Sequence, residues 1–131
     1  MKTKLTILLF TAITVVACHE SLEERASREA REYTQKYCPT PVIDNTRTDS
    51  LTFNESTHTL EYWYSLSGNA DDAQTIKAHE SELKATLLNG VKGSTQLKVY
   101  KENGFNVRYV YHSTSNPSLV LLDVTFTEKD Y

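Results

Sequence analysis

The chain has 131 residues, of which 39% are hydrophobic and 24% charged, with 14 basic against 17 acidic side chains and a formal charge of −3. That length suits one domain with a single hydrophobic core, which needs neither metal nor disulfide staples. The acidic balance excludes nucleic acid and anionic lipid headgroups as partners, because both require a basic patch.

Lys2 and Lys4, an apolar run from Leu5 to Val16, and Ala17 ahead of Cys18 read as a secretory signal. The run is too short for a transmembrane helix, which needs ~20 apolar residues. Val15-Val16-Ala17-Cys18 resembles the lipobox of bacterial lipoproteins. That resemblance implies cleavage before Cys18, a diacylglyceryl thioether on its sulfur and an acylated amino terminus. The expected organisation is a signal peptide over 1–17 and one domain over 18–131, lipid-anchored at Cys18. Without Lys2 and Lys4 the mature chain has 12 basic and 17 acidic residues, a charge of −5, so the acyl chains rather than charge would hold it to the membrane. Glu20, Glu23 and Glu24 resemble the surface-export signals of some Bacteroidota lipoproteins, which places the protein at the outer membrane or cell surface in preference to the inner membrane.

Ser21 followed by Glu24 is a capping-box pattern and predicts a helix starting almost at the anchor. About three residues separate Cys18 from that cap and reach only ~10 Å, so the domain sits close to the bilayer. Leu22, Ala26, Ala30, Tyr33 and Tyr37 form its apolar stripe, and Glu24–Arg28, Arg25–Glu29 and Arg28–Glu32 pair across its wet side. Pro39 and Pro41 stop the helix, and an irregular crossing follows over 38–48. Alternation at Leu51 and Phe53, then at Leu60, Tyr62, Tyr64 and Leu66, predicts two strands about a polar turn. Asn69 with Asp72 opens a second helix with Ala73, Ile76, Leu83 and Leu87 inward, closed by Asn89-Gly90.

Three strands centred on Leu97, Val107 and Leu121 complete the chain. The first two of these are expected to form a hairpin with a three-residue loop, Glu102-Asn103-Gly104, in which Gly104 is left-handed at a G1 bulge. That register aligns Leu97, Val99, Phe105, Val107, Tyr109 and Tyr111 on one face. The last strand, 119–126, is apolar at almost every position, so it is expected to be central or to use its second face as an interface, including a homodimer contact. The resulting fold is α+β: helix, two strands, helix, three-strand meander, with an antiparallel sheet packed on helices on one face.

Chemistry is less legible. His79-Glu80 has no second histidine four residues on, so no metalloprotease motif is present. His58, His79 and His112 have no ligand spacing, and neither metal nor cofactor is expected. Cys38, His112 and Asp123 supply the types of a nucleophile, base and orienter without any pattern that joins them. Cys38 itself reads as a small hydrophobe at a helix end, against an intermolecular disulfide or redox role, and a Cys18–Cys38 bridge would require an unlipidated Cys18.

Trp63 alternates away from Leu60, Tyr62 and Tyr64, and with Tyr100, Arg108 and His112 it is the expected partner-binding set, since Trp, Tyr and Arg favour interface hot spots. The alternative is that Trp63 merely covers a sheet flank. In the crossing, an Asp44–Arg47 pair with Thr46 and Ser50 on backbone groups is the structural expectation.

Cys38-Pro39, Asp44, Thr46-Arg47 and Asp49-Ser50 ahead of the Tyr62-x-Tyr64 strand, with Tyr109-x-Tyr111 in a late strand, resemble a family of small exported bacterial proteins. Family members often end in cysteine where this chain has Tyr131, and the resemblance implies a fold and a compartment but no activity. The functional expectation is a non-enzymatic cell-envelope lipoprotein that binds an envelope protein through the open sheet face or the last strand. The competing classes are a glycan- or cell-wall-directed enzyme or inhibitor using Trp63, Tyr100, Arg108 and His112 as a cleft, and a carrier of hydrophobic small ligands.

Overall fold

A computed structural model describes residues 19–131. The signal and Cys18 therefore lie outside the described residues. The first helix, α1 (Leu22–Tyr37), starts where its cap dictates: Glu24 N–H donates to Ser21 Oγ and Ser21 N–H to the Glu24 carboxylate, each at 3.1 Å. Ala26 and Ala30 are its buried residues. Arg25–Glu29 and Arg28–Glu32 pair as expected at 2.7 and 3.2 Å, but Arg28 also reaches back to Glu20 because Glu24 is committed to the cap.

The strands β1 (Thr46–Asn54) and β2 (Thr59–Leu66) pair antiparallel. A two-residue turn leads into β1: Asp44 and Asn45 both have positive φ, and Ile43 and Thr46 exchange backbone hydrogen bonds at 2.9 and 3.0 Å. Arg47 pairs with Asp49 at 2.7 Å and not with Asp44, which the turn carries away. Thr46 Oγ1 does bond a backbone group, the Asp44 carbonyl, at 3.3 Å.

After a 3-10 turn (Gly68–Ala70), Asp72 rather than Asn69 caps the next helix, its carboxylate accepting from the N–H of Gln74 and Thr75. That helix is broken at His79 into α2 (Ala73–Ala78) and α3 (Glu80–Gly93). Gly90 does not end α3, since it has no left-handed φ to make it a cap.

The segment around Leu97 departs from expectation: it is a short helix, α4 (Lys98–Glu102), and not a strand. Leu97 and Tyr100, three apart, are both buried, and over five residues that spacing competes evenly with Leu97–Val99 alternation. Lys101 Nζ donates to the last-turn carbonyls of Val91 and Lys92 at 2.7 and 2.8 Å, which ties α4 to the end of α3. Gly104 is left-handed as expected, with φ 72°, but as part of a Schellman cap rather than a hairpin bulge. Phe105 N–H donates to Tyr100 O and Gly104 N–H to Lys101 O, and the Phe105 ring packs on Tyr100 at 5.2 Å.

Because helices instead of a hairpin precede it, β3 (Asn106–Ser113) returns beside β2 in parallel. The last strand, β4 (Val120–Phe126), pairs antiparallel with β3, so the sheet is mixed, in the order β1-β2-β3-β4. β4 is therefore an edge strand. Its near-continuous apolar run has a local cause: the register shifts opposite Tyr111 and His112, and both Leu121 and Leu122 then pack with Ile76 and Leu66. The α+β class and the placing of all helices on one face stand. Four strands replace five. Among the described residues no helix is long and apolar enough to cross a membrane.

Candidate functional site: a tyrosine-floored channel

The helices do not roof the sheet evenly. α1 lies on β1, while α2 and α3 lie on β4. At one end α1, α3 and α4 meet over Leu60, Val107 and Phe126, where Ala26, Val91, Tyr100 and Phe105 close the main core. Toward the other end the middle strands β2 and β3 are left between the helices, and the side chains there are tyrosines.

Tyr62 stacks on Tyr109 at 5.1 Å, Tyr64 on Tyr111 at 4.7 Å, and Tyr64 stands 6.5 and 6.3 Å from Tyr62 and Tyr109. The register explains the cluster, because parallel pairing sets Tyr62 beside Tyr109 and Tyr64 beside Tyr111 on the same face. All four are half-buried. Of the eight tyrosines, Tyr100 and Tyr131 donate their hydroxyls inside the protein, to Glu29 and to Phe105 O. The hydroxyls of Tyr62, Tyr64, Tyr109 and Tyr111 bond to no protein group among the described residues and remain accessible. Burial of the rings pushes the Tyr111 phenol up to about 12 and raises those of Tyr62, Tyr64 and Tyr109 as well, so all four stay protonated across the physiological range.

Two hollows flank this floor. One, of about 360 Å³, lies on the α1 side against Ala30, Tyr33 and Tyr62; the other, of about 290 Å³, lies on the α3 side against Leu83, Thr86, Leu87 and Tyr111. Each is at the lower end of the range for ligand pockets. Tyr62 borders the first and Tyr111 the second, with Tyr64 and Tyr109 beside them on the same sheet face. This strip between α1 and α3, the two hollows and the four rings together, is termed the channel, and its walls are mainly apolar and neutral polar. The one charged pair at its edge, Arg25 and Glu29, is mutually satisfied at 2.7 Å. At the mouth, the Tyr33 and Tyr37 rings meet tilted at 5.1 Å, and these last two positions of the expected α1 stripe are exposed together with Val42 and Ile43.

The residues singled out in the sequence divide between the two faces. Trp63, Arg108 and His112 do come together on the open face. Trp63 Nε1 donates to Thr52 Oγ1 at 2.8 Å, the Arg108 guanidinium lies 5.4 Å over the indole, and His112 stacks on it at 6.0 Å. Arg108 is fully engaged, with two bonds to Asp123 at 2.9 and 2.7 Å and one to Glu61 at 3.3 Å. The same guanidinium holds the Asp123 carboxyl below the usual carboxylate range. Beside this layer, Asp49 accepts from Ser65 and Arg47. Val110 is 1% exposed on this side, where no helix covers it, so the polar layer itself shields the sheet.

Tyr100 is not part of that surface. It is 4% exposed within α4, in the core on the helix side, because its segment is a helix and not a strand. The four residues therefore make no common cleft. His58 lies by Glu23 and stacks on Phe105, His79 sits at the α2–α3 joint, and His112 is on the open face, so the three histidines do not converge. Among the described residues no group of three metal-ligating side chains is assembled. Cys38 caps α1 and is half-buried, and burial first and the Asp49 charge second push its thiol up, away from reactivity. His112 stacks on Trp63 with its Nδ1 buried and unpartnered, Asp123 is bound by Arg108, and no hydrogen bond joins Cys38, His112 and Asp123 among the described residues.

The channel floor had a signal in the sequence that alternation alone does not weigh. Two Tyr-x-Tyr pairs stand where a closed core would take leucine or valine, and a phenol on an inward face needs a polar outlet.

The fold has known counterparts. A candidate secreted protein of Pseudomonas aeruginosa superposes with a TM-score of 0.66 at 12% identity, over 86% of this chain and 98% of its own. The type II secretion system pilotin EpsS of Vibrio vulnificus gives 0.61 at 12% identity over 82% and 89%. The pilotin AspS of Vibrio cholerae gives 0.58 at 13% over 83% and 91%. No curated protein matches in sequence. Residues 21–122, most of the chain, match the family described as Domain of unknown function (DUF8479), and the protein belongs to that family.

Proposed function

We propose that this is a non-enzymatic envelope lipoprotein, anchored at Cys18, that binds a segment of another envelope protein in the channel between α1 and α3. The observation that carries the reading is the floor of four half-buried tyrosine rings whose hydroxyls the protein leaves unbonded. A closed domain would cover such a floor, whereas a peptide groove presents one between its walls. The likeness in fold to type II secretion pilotins fits an accessory role in the envelope. The signal-like residues 1–17 and the short link from Cys18 to Ser21 fit attachment close to a bilayer.

The test is site-specific photocrosslinking in the native envelope, with the probe replacing Tyr33 at the channel and, as control, Thr52 on the open face. One envelope protein captured from position 33, absent from position 52 and lost in Thr86→Trp, which fills the α3-side hollow, is the expected result. Capture from position 52 that ignores Thr86→Trp would move the binding surface to the Trp63 face. Cys18→Ser is expected to release the protein from the membrane fraction.

A further inference from the structure

Resting on the channel as the docking site, we infer that its occupant is a peptide segment whose apolar stripe is interrupted by neutral hydrogen-bonding side chains, Asn, Gln, Ser or Thr, and that it is neither a purely apolar helix nor an acyl chain. The argument is one of complementarity. Tyr62 borders one hollow and Tyr111 the other, Tyr64 and Tyr109 stack against them, and none of the four hydroxyls meets a protein partner among the described residues. Thr46, Thr86 and Gln96 add neutral polar groups to the walls. An occupant covering the rings removes water from those hydroxyls, and a buried hydroxyl left unbonded is costly. A hydrocarbon chain would strand all four.

A phenol both donates and accepts, so side-chain amides and hydroxyls answer it in either sense. Carboxylates and ammonium groups fit less well, because the lining offers no unpaired charge to meet them: Arg25 and Glu29 already satisfy each other. The backbone of a helical occupant cannot serve either, since its carbonyls are used internally. The side chains must therefore supply the acceptors.

The experiment uses the full-length chain in detergent micelles against a display library of random 16-residue helical peptides, with a fluorescent sixteen-carbon fatty acid as a second probe. Peptides competed away by Thr86→Trp are sequenced and measured against the quadruple variant Tyr62→Phe, Tyr64→Phe, Tyr109→Phe and Tyr111→Phe, and against Tyr111→Phe alone should the former not fold. The expected result is enrichment of Asn, Gln, Ser or Thr between apolar positions, with binding weakened at least about tenfold in the quadruple variant and measurably in the single one, because the rings stay and only the hydroxyls go. Channel-dependent peptides that bind wild type and phenylalanine variants equally would overturn the inference and leave the docking site standing. Binding of the fatty acid alone, or no channel-dependent binder together with no crosslink at position 33, would overturn both.

Discussion

The two faces of the sheet use the same kinds of side chain to opposite ends. Around Trp63 most polar groups of the open face are joined, indole to Thr52, guanidinium to Asp123 and Glu61, hydroxyl of Ser65 to Asp49, while the buried His112 Nδ1 is left without a partner among the described residues. Around Tyr64 the helix-side face has its rings packed and its hydroxyls idle. A surface most of whose polar groups satisfy one another has less to offer a partner than a recessed one with several unspent hydroxyls.

The comparison breaks most severely if the shared core fails. Phe105 is 1% exposed, stacks on Phe53 and completes the Schellman cap. Phe105→Ala is expected to lower stability by about 3–5 kcal/mol in denaturant unfolding and to disorder both faces together. Arg108→Ala tests the joined groups of the open face: it strands Glu61, which is 7% exposed, and is expected to cost about 1–3 kcal/mol. Adding Glu61→Gln should restore part of that loss, and no recovery would mean that these bonds are not what holds this face. Gly104→Val forces a β-branched residue to φ 72° against the Glu128 side chain, for about 1–2 kcal/mol. An unchanged melting temperature would remove the cap as described.

Alkaline titration separates the faces more finely. The tyrosines of the channel bind their protons more tightly folded than unfolded, so their contribution is complete below pH ~10 and is lost as pH rises toward the folded values, about 12 for Tyr111. Melting temperature should fall through that window, and tyrosinate absorbance should rise late; ordinary titration near pH 10 of all eight tyrosines would contradict the packed floor. The smallest effect is expected from Tyr64→Phe, within about 0.5 kcal/mol in stability, while its binding to a channel ligand weakens. A stability loss well beyond that would show the hydroxyl to be structural.

How much of this was readable beforehand varies along the chain. α1 was legible because a capping box and five stripe positions are local signals that agree. β1 and β2 followed from alternation over enough residues to decide the period. Residues 97–104 were not legible: Leu97, Val99 and Tyr100 satisfy either period, and Gly104 is left-handed in both the bulge and the Schellman cap. The choice between them came from Lys101 reaching the end of α3, a contact outside any local window. That single segment decided the pairing of β3, and the parallel pairing in turn put the two Tyr-x-Tyr strands side by side. Among the candidate site residues, Trp63, Arg108 and His112 were placed together correctly by alternation, while Tyr100 inherited the error of its segment.

The sequence by itself determined the α+β class, the helix start at Ser21 and the two inward Tyr-x-Tyr faces. These rest on periodicity, caps and short motifs, all of which act within a few residues. Only the tertiary structure decided that β2 and β3 are parallel, that β4 is an edge, and that the helices part over the tyrosines instead of closing on them. Those outcomes depend on which distant surfaces pack best, and packing is settled by the whole core at once.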